Sequence, residues 1–277
     1  MKKNILLPTD FSDNSWSAIV YVLKLYAEIE CTFYLLNSVA LHASTMSNFS
    51  NKLLDIMKDN AMNELDELKA QIEVSDANPN HDVKIILSTH DLIDAINASV
   101  IKYKMDLMVM GTKGATGAKE IFFGSNTVKV LKKITACPIL IVPDEYDFVV
   151  PRQIAFPTDY KRFFGEKELR PIKDLSELYN SKIRILHINK EEKLDDIQEY
   201  NYIKLNEYLE DYDHSFHWMP DYSSKEIEIK EFIEDLEIDL LAMVNYRHSF
   251  LDKLINEPVI KKIGHQPIIP FLVLPSN

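Results

Sequence analysis

Glycine is scarce in this chain, and where it gathers the surrounding residue types suit an anion. Of 6 glycines in 277 residues, Gly111, Gly114, Gly117 and Gly124 all fall within one stretch, Met105 to Pro143 (MDLMVMGTKGATGAKEIFFGSNTVKVLKKITACPILIVP). The apolar run ending at Met110 reads as a buried strand. Gly111 follows it, where a chain leaving a sheet needs either unusual backbone angles or close approach to a ligand. A polar loop carrying Lys113 comes next. Gly124 then opens a segment whose Val128, Leu131 and Ile134 recur at helical spacing, which puts Ser125 or Asn126 at the N-cap and Thr127 in the first turn. Strand, glycine loop and helix N-terminus together make an anion site. Unpaired amides, the positive end of the helix dipole and loop N–H groups free of side chains would hold phosphate oxygens.

A second polar cluster closes the first apolar run. Asn4 to Leu7 reads as a strand ending at Pro8-Thr9-Asp10, with Ser12 or Asp13 capping the helix that continues through Trp16, Ile19, Leu23 and Tyr26. The turn thus carries a carboxylate. No Ser–His–Asp, Cys–His or paired-carboxylate spacing appears, and no general base or arginine finger stands near the glycine loop. No catalytic residue and no metal site is expected. His214 and His217, three apart on an apparent edge strand, point to opposite faces. His248 and His265 are isolated.

The elements that must position these residues alternate in type. Cys31 to Val39 reads as a strand. Asn51 to Val74 reads as a long helix with Leu53, Leu54, Met57, Met62, Leu65 and Leu68 on one side. Val83 to Leu87, Met105 to Met110 and Ile139 to Val142 read as three more strands, with a helix from Asp94 to Tyr103 between the first two. Nearly continuous apolar strands alternating with helices predict a parallel sheet covered on both faces.

The pattern then starts again. Gln153-Ile-Ala-Phe-Pro157-Thr158-Asp159 repeats the first strand and its turn, and Ile183 to Ile188 repeats the second. Asp239 to Val244 repeats Asp106 to Gly111, and Lys261 to Pro267 repeats Lys132 to Pro138. Two copies, each with its own alternation, predict two similar domains, 1–145 and 151–277. The second copy has lost four residues between its fourth strand and the proline before its fifth. Val244 stands where Gly111 does, and no glycine follows up to Leu254. That copy is expected to bind no nucleotide by the same route. Asp159 reads as a turn-capping carboxylate.

Gly111-x-x-Gly114, nine residues, then Gly124-Ser125 resembles the nucleotide loop of the universal stress protein family, and the tandem pattern resembles that family over essentially the whole chain. The resemblance implies a Rossmann-like α/β fold of the adenine nucleotide α-hydrolase kind. Each domain would hold an open five-stranded sheet of order 3-2-1-4-5, with ligand between the ends of strands 1 and 4. It implies ATP or AMP in the first domain. Pro8, Thr9 and Asp10 would face adenine and ribose, and Ser38 and Val39 would border the base. Gly111, Gly114, Gly124, Ser125 and Asn126 would hold ribose and phosphates, with Thr127 nearby and Met110 among the binding residues, and Asp10 would contact ribose hydroxyls or Mg2+ on the phosphates. At Asn37 the sequence departs from the histidine frequent in the family, which His187 keeps. The resemblance further implies pairing of Ile139 to Val142 with Phe271 to Leu274 in an intramolecular pseudo-dimer, and a homodimer of whole chains is compatible with it. It implies a nucleotide-linked regulator read by an unnamed protein partner, with slow ATP hydrolysis in the first domain or an interaction scaffold that binds no nucleotide as the alternatives.

Composition excludes other classes. A formal net charge of −12 opposes nucleic acid or an anionic membrane as the main partner. MKKNILLPTD holds too short an apolar run for a signal peptide, and no stretch approaches a membrane span, so a cytoplasmic protein is expected. Cys31 and Cys137 lack CxxC partners and read as reduced, buried residues. Glu191 to Asp213 reads as an amphipathic helix with a solvated acidic face, or a partner-docking surface.

Overall fold

The computed structural model describes residues 2–40, 48–112, 124–189, 193–220, 225–245 and 269–276. The chain divides into two compact units that change over between Phe148 and Val149. The first holds β1 (Lys3–Pro8), α1 (Asp13–Leu25), β2 (Cys31–Ser38), α2 (Asn48–Asp76), β3 (His81–Ser88), α3 (Leu92–Tyr103), β4 (Leu107–Gly111), α4 (Ser125–Lys133) and β5 (Ile139–Val142). The second holds β6 (Gln153–Pro157), α5 (Glu166–Tyr179), β7 (Lys182–Asn189), α6 (Asp196–Leu209), β8 (His214–Pro220), α7 (Lys225–Asp235), β9 (Leu240–Asn245) and β10 (Phe271–Pro275).

In the first unit the strand order is β3-β2-β1-β4-β5, and in the second β8-β7-β6-β9-β10. Every pairing within each sheet is parallel. Both are the expected 3-2-1-4-5 arrangement. The central strands are apolar on both sides because helices cover both faces: Ile5, Leu6 and Leu7 of β1 and Ile154, Ala155 and Phe156 of β6 are all buried.

The repeat extends to atoms. Asp106 Oδ2 accepts from Asn4 N at 2.7 Å, just before β4. Asp239, just before β9, accepts from Arg152 N and Gln153 N, both at 2.9 Å. One aspartate in each unit thus ties the start of the first strand to that of the fourth.

Two helices differ from their sequence reading. On α2 the buried line is Ala61, Leu65 and Ile72, flanked by the half-buried Leu54, Met57 and Leu68, while Leu53 and Met62 face out. Steps of three and four from Leu54 bypass both. α6 is shorter than Glu191 to Asp213, and Asp195 caps it in a reciprocal box with Gln198. Its inner side carries Gln198 and Asn201 as well as Leu205 and Leu209, and Ile197 and Ile203 face out. Cys31 and Cys137 are free and buried, and burial pushes both thiols up to about 12. Neither is a thiolate near neutral pH.

Candidate functional site

The turn after β1 is held by its own side chains. Thr9 N donates to Leu36 O at 2.9 Å, carrying the β1–β2 pairing one residue past the strand, and Asn37 Nδ2 donates to Thr9 O at 2.8 Å. Thr9 Oγ1 accepts from Phe11 N at 3.0 Å, which holds Phe11 at φ 62. That left-handed backbone costs a non-glycine residue about 1 kcal/mol. Asp10 Oδ1 accepts from Ser12 N at 3.2 Å and from Ser12 Oγ at 2.5 Å. Ser12 is the N-cap of α1 and accepts from Ser15 N at 3.3 Å. Asp10 is therefore a turn former before anything else. Among the described residues its Oδ2 accepts no hydrogen bond, and the residue is exposed.

At the end of β2, Ser38 Oγ donates to His90 O at 2.5 Å, and Val39 N donates to Ser88 O at 2.9 Å. The Ser38 hydroxyl is thus engaged in fixing the turn into α3, which Asp91 caps through the amides of Ile93 and Asp94. Val39 is buried beside it.

β4 lies between β1 and β5, with Leu6 opposite Met108 on one side and Gly111 opposite Val142 on the other. Met110 is buried. Gly111 does not occupy the left-handed region; its need is steric, and the neighbour is not a ligand. A Cβ there would lie 1.9 Å from Asn14 Oδ1 and 2.6 Å from the Asn14 carbonyl oxygen. The missing side chain lets the first turn of α1 press against the end of β4.

α4 begins one residue earlier than its sequence suggests. Gly124 is the N-cap, with φ −56 and ψ 153, and it makes no side-chain capping bond. Ser125 and Asn126, expected as caps, are the first two helical residues and are exposed. Thr127 is buried, and its Oγ1 donates to Gly111 O at 3.3 Å, pinning the helix start to the end of β4. α1 and α3 have side-chain caps, whereas the first amides of α4 have none among the described residues. Lys132 and Lys133 lie in its last turn, matching the dipole's negative end.

Pro8, Thr9, Asp10, Ser38, Val39, Met110, Gly111, Gly124, Ser125, Asn126 and Thr127 therefore all stand at the carboxyl edge of one sheet. Gly114, Gly117 and Lys113 lie outside the described residues. Asn14 and Asn37 were not singled out as site residues by type, because their parts depend on which backbone atoms the fold brings to them. The arrangement offers an amide-lined positive pole beside a carboxylate-bearing turn. No group of three or more His, Cys, Asp or Glu that could hold a metal ion occurs among the described residues.

The second unit repeats the backbone bonds of the turn. Thr158 N donates to Leu186 O at 2.8 Å, Thr158 Oγ1 accepts from Tyr160 N at 3.1 Å, and Asp159 Oδ1 accepts from Lys161 N at 3.1 Å. His187 Nδ1 donates to Thr158 O at 2.9 Å, the same service that Asn37 gives Thr9. Asparagine and histidine are interchangeable here as donors, so the departure at Asn37 leaves the turn intact. His214 and His217 diverge as expected: the first meets Asn206 of α6 at 3.0 Å, and the second meets the Phe232 ring of α7. His248 and His265, like the chain from Tyr246 to Ile268, lie outside the described residues.

Comparison with known proteins gives one answer at both levels. Residues 1–143 match the model of the family described as the universal stress protein family. The chain is 28% identical over 163 residues to universal stress protein MJ0577 of Methanocaldococcus jannaschii, which covers 51% of this chain and 95% of the relative. It is 29% identical over 153 residues to universal stress protein MJ0531 of the same organism, covering 50% of this chain and 81% of the relative. A crystal structure of a universal stress protein from Archaeoglobus fulgidus superposes with a TM-score of 0.71 at 18% identity, covering 98% of this chain and 97% of the other. That likeness concerns the fold. No described helix is long and apolar enough to cross a membrane.

Proposed function

The chain belongs to the universal stress protein family, and we propose that its first unit binds an adenine nucleotide, ATP or AMP, as a nucleotide-linked regulator. The observation that carries this reading is the uncapped start of α4, fixed to the end of β4 by Thr127. An exposed helix start whose amides lack side-chain partners is a fitting seat for phosphate. In this reading Ser125, Asn126 and Thr127 hold phosphate oxygens through their amides, with Gly114 and the rest of the loop contributing. Met110 and Val39 give apolar surface to the base. Thr9 and Asp10 shape the ribose side, where Oδ2 of Asp10 accepts from a ribose hydroxyl or meets a phosphate-bound Mg2+. The protein acts in the cytoplasm, and a protein partner reads the occupied state. Binding shifts the population of loop conformations by its differential affinity for them. The second unit, with Val244 in place of Gly111, is a degenerate partner.

The direct test is mass spectrometry of small molecules released by denaturing the freshly purified protein, followed by equilibrium binding of added ATP with Mg2+. The expected result is one adenine nucleotide per chain, lost in Gly124→Val. Protein that is empty and ignores added nucleotide would overturn the reading.

A further inference from the structure

The repeated turn places an aromatic residue in the left-handed conformation in both units, Phe11 at φ 62 and Tyr160 at φ 54. Their rings fare differently. Phe11 is half-exposed and has no aromatic partner among the described residues. Tyr160 is 0% exposed and lies flat on the His187 ring, with centroids 4.7 Å apart and planes inclined by 18°. Tyr202 meets its edge at 5.6 Å, and Trp218 flanks it at 6.3 Å.

Sequence differences account for the contrast. Asn37 occupies the place of His187 and offers no ring to stack on. Leu87, opposite Asn37 on β3, occupies the place of Trp218, which lies opposite His187 on β8. α6 then fastens the turn over the ring. Gln198 Nε2 donates to Asp159 O at 2.8 Å, and Asn201 Nδ2 donates to Tyr160 O at 2.7 Å. These bonds explain why the inner side of α6 carries two amides. The Tyr160 hydroxyl, by contrast, is buried without a hydrogen-bond partner among the described residues, so packing of the ring is what the position uses.

We infer that Tyr160 is a built-in occupant of the second unit's crevice, its ring filling from within the chain the base side that the first unit leaves for a planar ligand. The inference rests on the nucleotide reading of the first unit for the meaning of that position, while the packing itself does not. Loss of the glycine loop alone would leave a base pocket without a phosphate seat; here the pocket itself is filled. Restoring glycine at Val244 would accordingly not restore binding. Removing the ring would open an apolar slot, with His187 as its floor, that accepts a small planar aromatic molecule. Cavities left by buried aromatic deletion behave in this way.

The test uses the full chain with p-cresol as probe. Tyr160→Phe should melt at or above the wild type, since the hydroxyl has no partner among the described residues to lose. Tyr160→Gly should melt roughly 10 °C lower, and p-cresol should raise its melting temperature by several degrees while leaving wild type and Tyr160→Phe unmoved. A folded Tyr160→Gly that matches the wild type, or ignores p-cresol, overturns the inference, as does a Tyr160→Phe that falls as far as Tyr160→Gly. Should Tyr160→Gly fail to fold, nitration of the wild type by tetranitromethane decides. Tyr160 should stay unmodified while Tyr200, 56% exposed, reacts, and equal rates overturn the inference. An empty first unit in the ligand-release assay would leave every one of these outcomes unchanged, so the two readings fail separately.

Discussion

Gly111 and Asn14 meet more closely than any side chain at position 111 would allow, and that contact gives the loop's first glycine its purpose. Gly111→Ala should cost about 1–3 kcal/mol, the usual range for overpacking a tight site, read by urea denaturation. Asn14→Ala in the same chain should recover only part of the loss, because the Asn14 carbonyl oxygen would still lie 2.6 Å from the new methyl. A Gly111→Ala protein of wild-type stability would remove this account. Sequence identified Gly111 correctly as special but not why, since the reason lies on a helix 97 positions earlier. It also assigned Asp10 and Asp159 different duties, ligand contact and turn capping. Both cap their turns through Oδ1, and they differ in the residue that follows, a half-exposed Phe11 in one unit and a fully buried Tyr160 in the other. Asn37 and His187 show the converse: unlike residues perform one task, because the fold asks only for an N–H aimed at a threonine carbonyl.

α4 starts without a side-chain cap among the described residues, and the proposed reading gives that start to a phosphate. A side-chain cap at position 124 would satisfy the amides that the proposed phosphate needs. Gly124→Asp should therefore raise stability without ligand by a few tenths of a kcal/mol while weakening ATP affinity by about tenfold or more, through competition for the amides and repulsion of phosphate. Thermal melts and titration calorimetry on the same preparation check both signs. Stability and affinity moving together would sink this account of the helix start. Strands were the most legible elements, because continuous apolar runs in a parallel sheet have few alternatives. The faces of α2 and α6 were less so. On α2, Leu53 and Met62 are apolar but off the stripe, and on α6 the buried amides of Gln198 and Asn201 look polar until their acceptors in the β6–α5 turn are known.

For the molecule as a whole, the proposed reading makes the duplication respond asymmetrically to nucleotide. Nucleotide at about 100 times its dissociation constant stabilises the state that binds it by about 2.7 kcal/mol, and that gain should be confined to one unit. Hydrogen-exchange mass spectrometry with and without ATP should show slowed exchange in β1, β4 and α4 and none in β6, β9 and β10; equal protection in both units would contradict the one-site reading. The two-fold repeat was readable because each copy keeps its own apolar strands, whereas the difference between the copies was only half visible, since the loss of glycines shows in the sequence and the packing of Tyr160 does not. The Thr–Asp turn, whose threonine and aspartate accept the same backbone amides in both units, also makes the chain its own internal control. A search keyed to Pro-Thr-Asp would score two sites here, although the glycine-rich loop proposed to seat phosphate occurs once. That tripeptide is a marker of the turn's folding, and whether its crevice can take a ligand has to be diagnosed from the residues around it, beginning with the one that follows it.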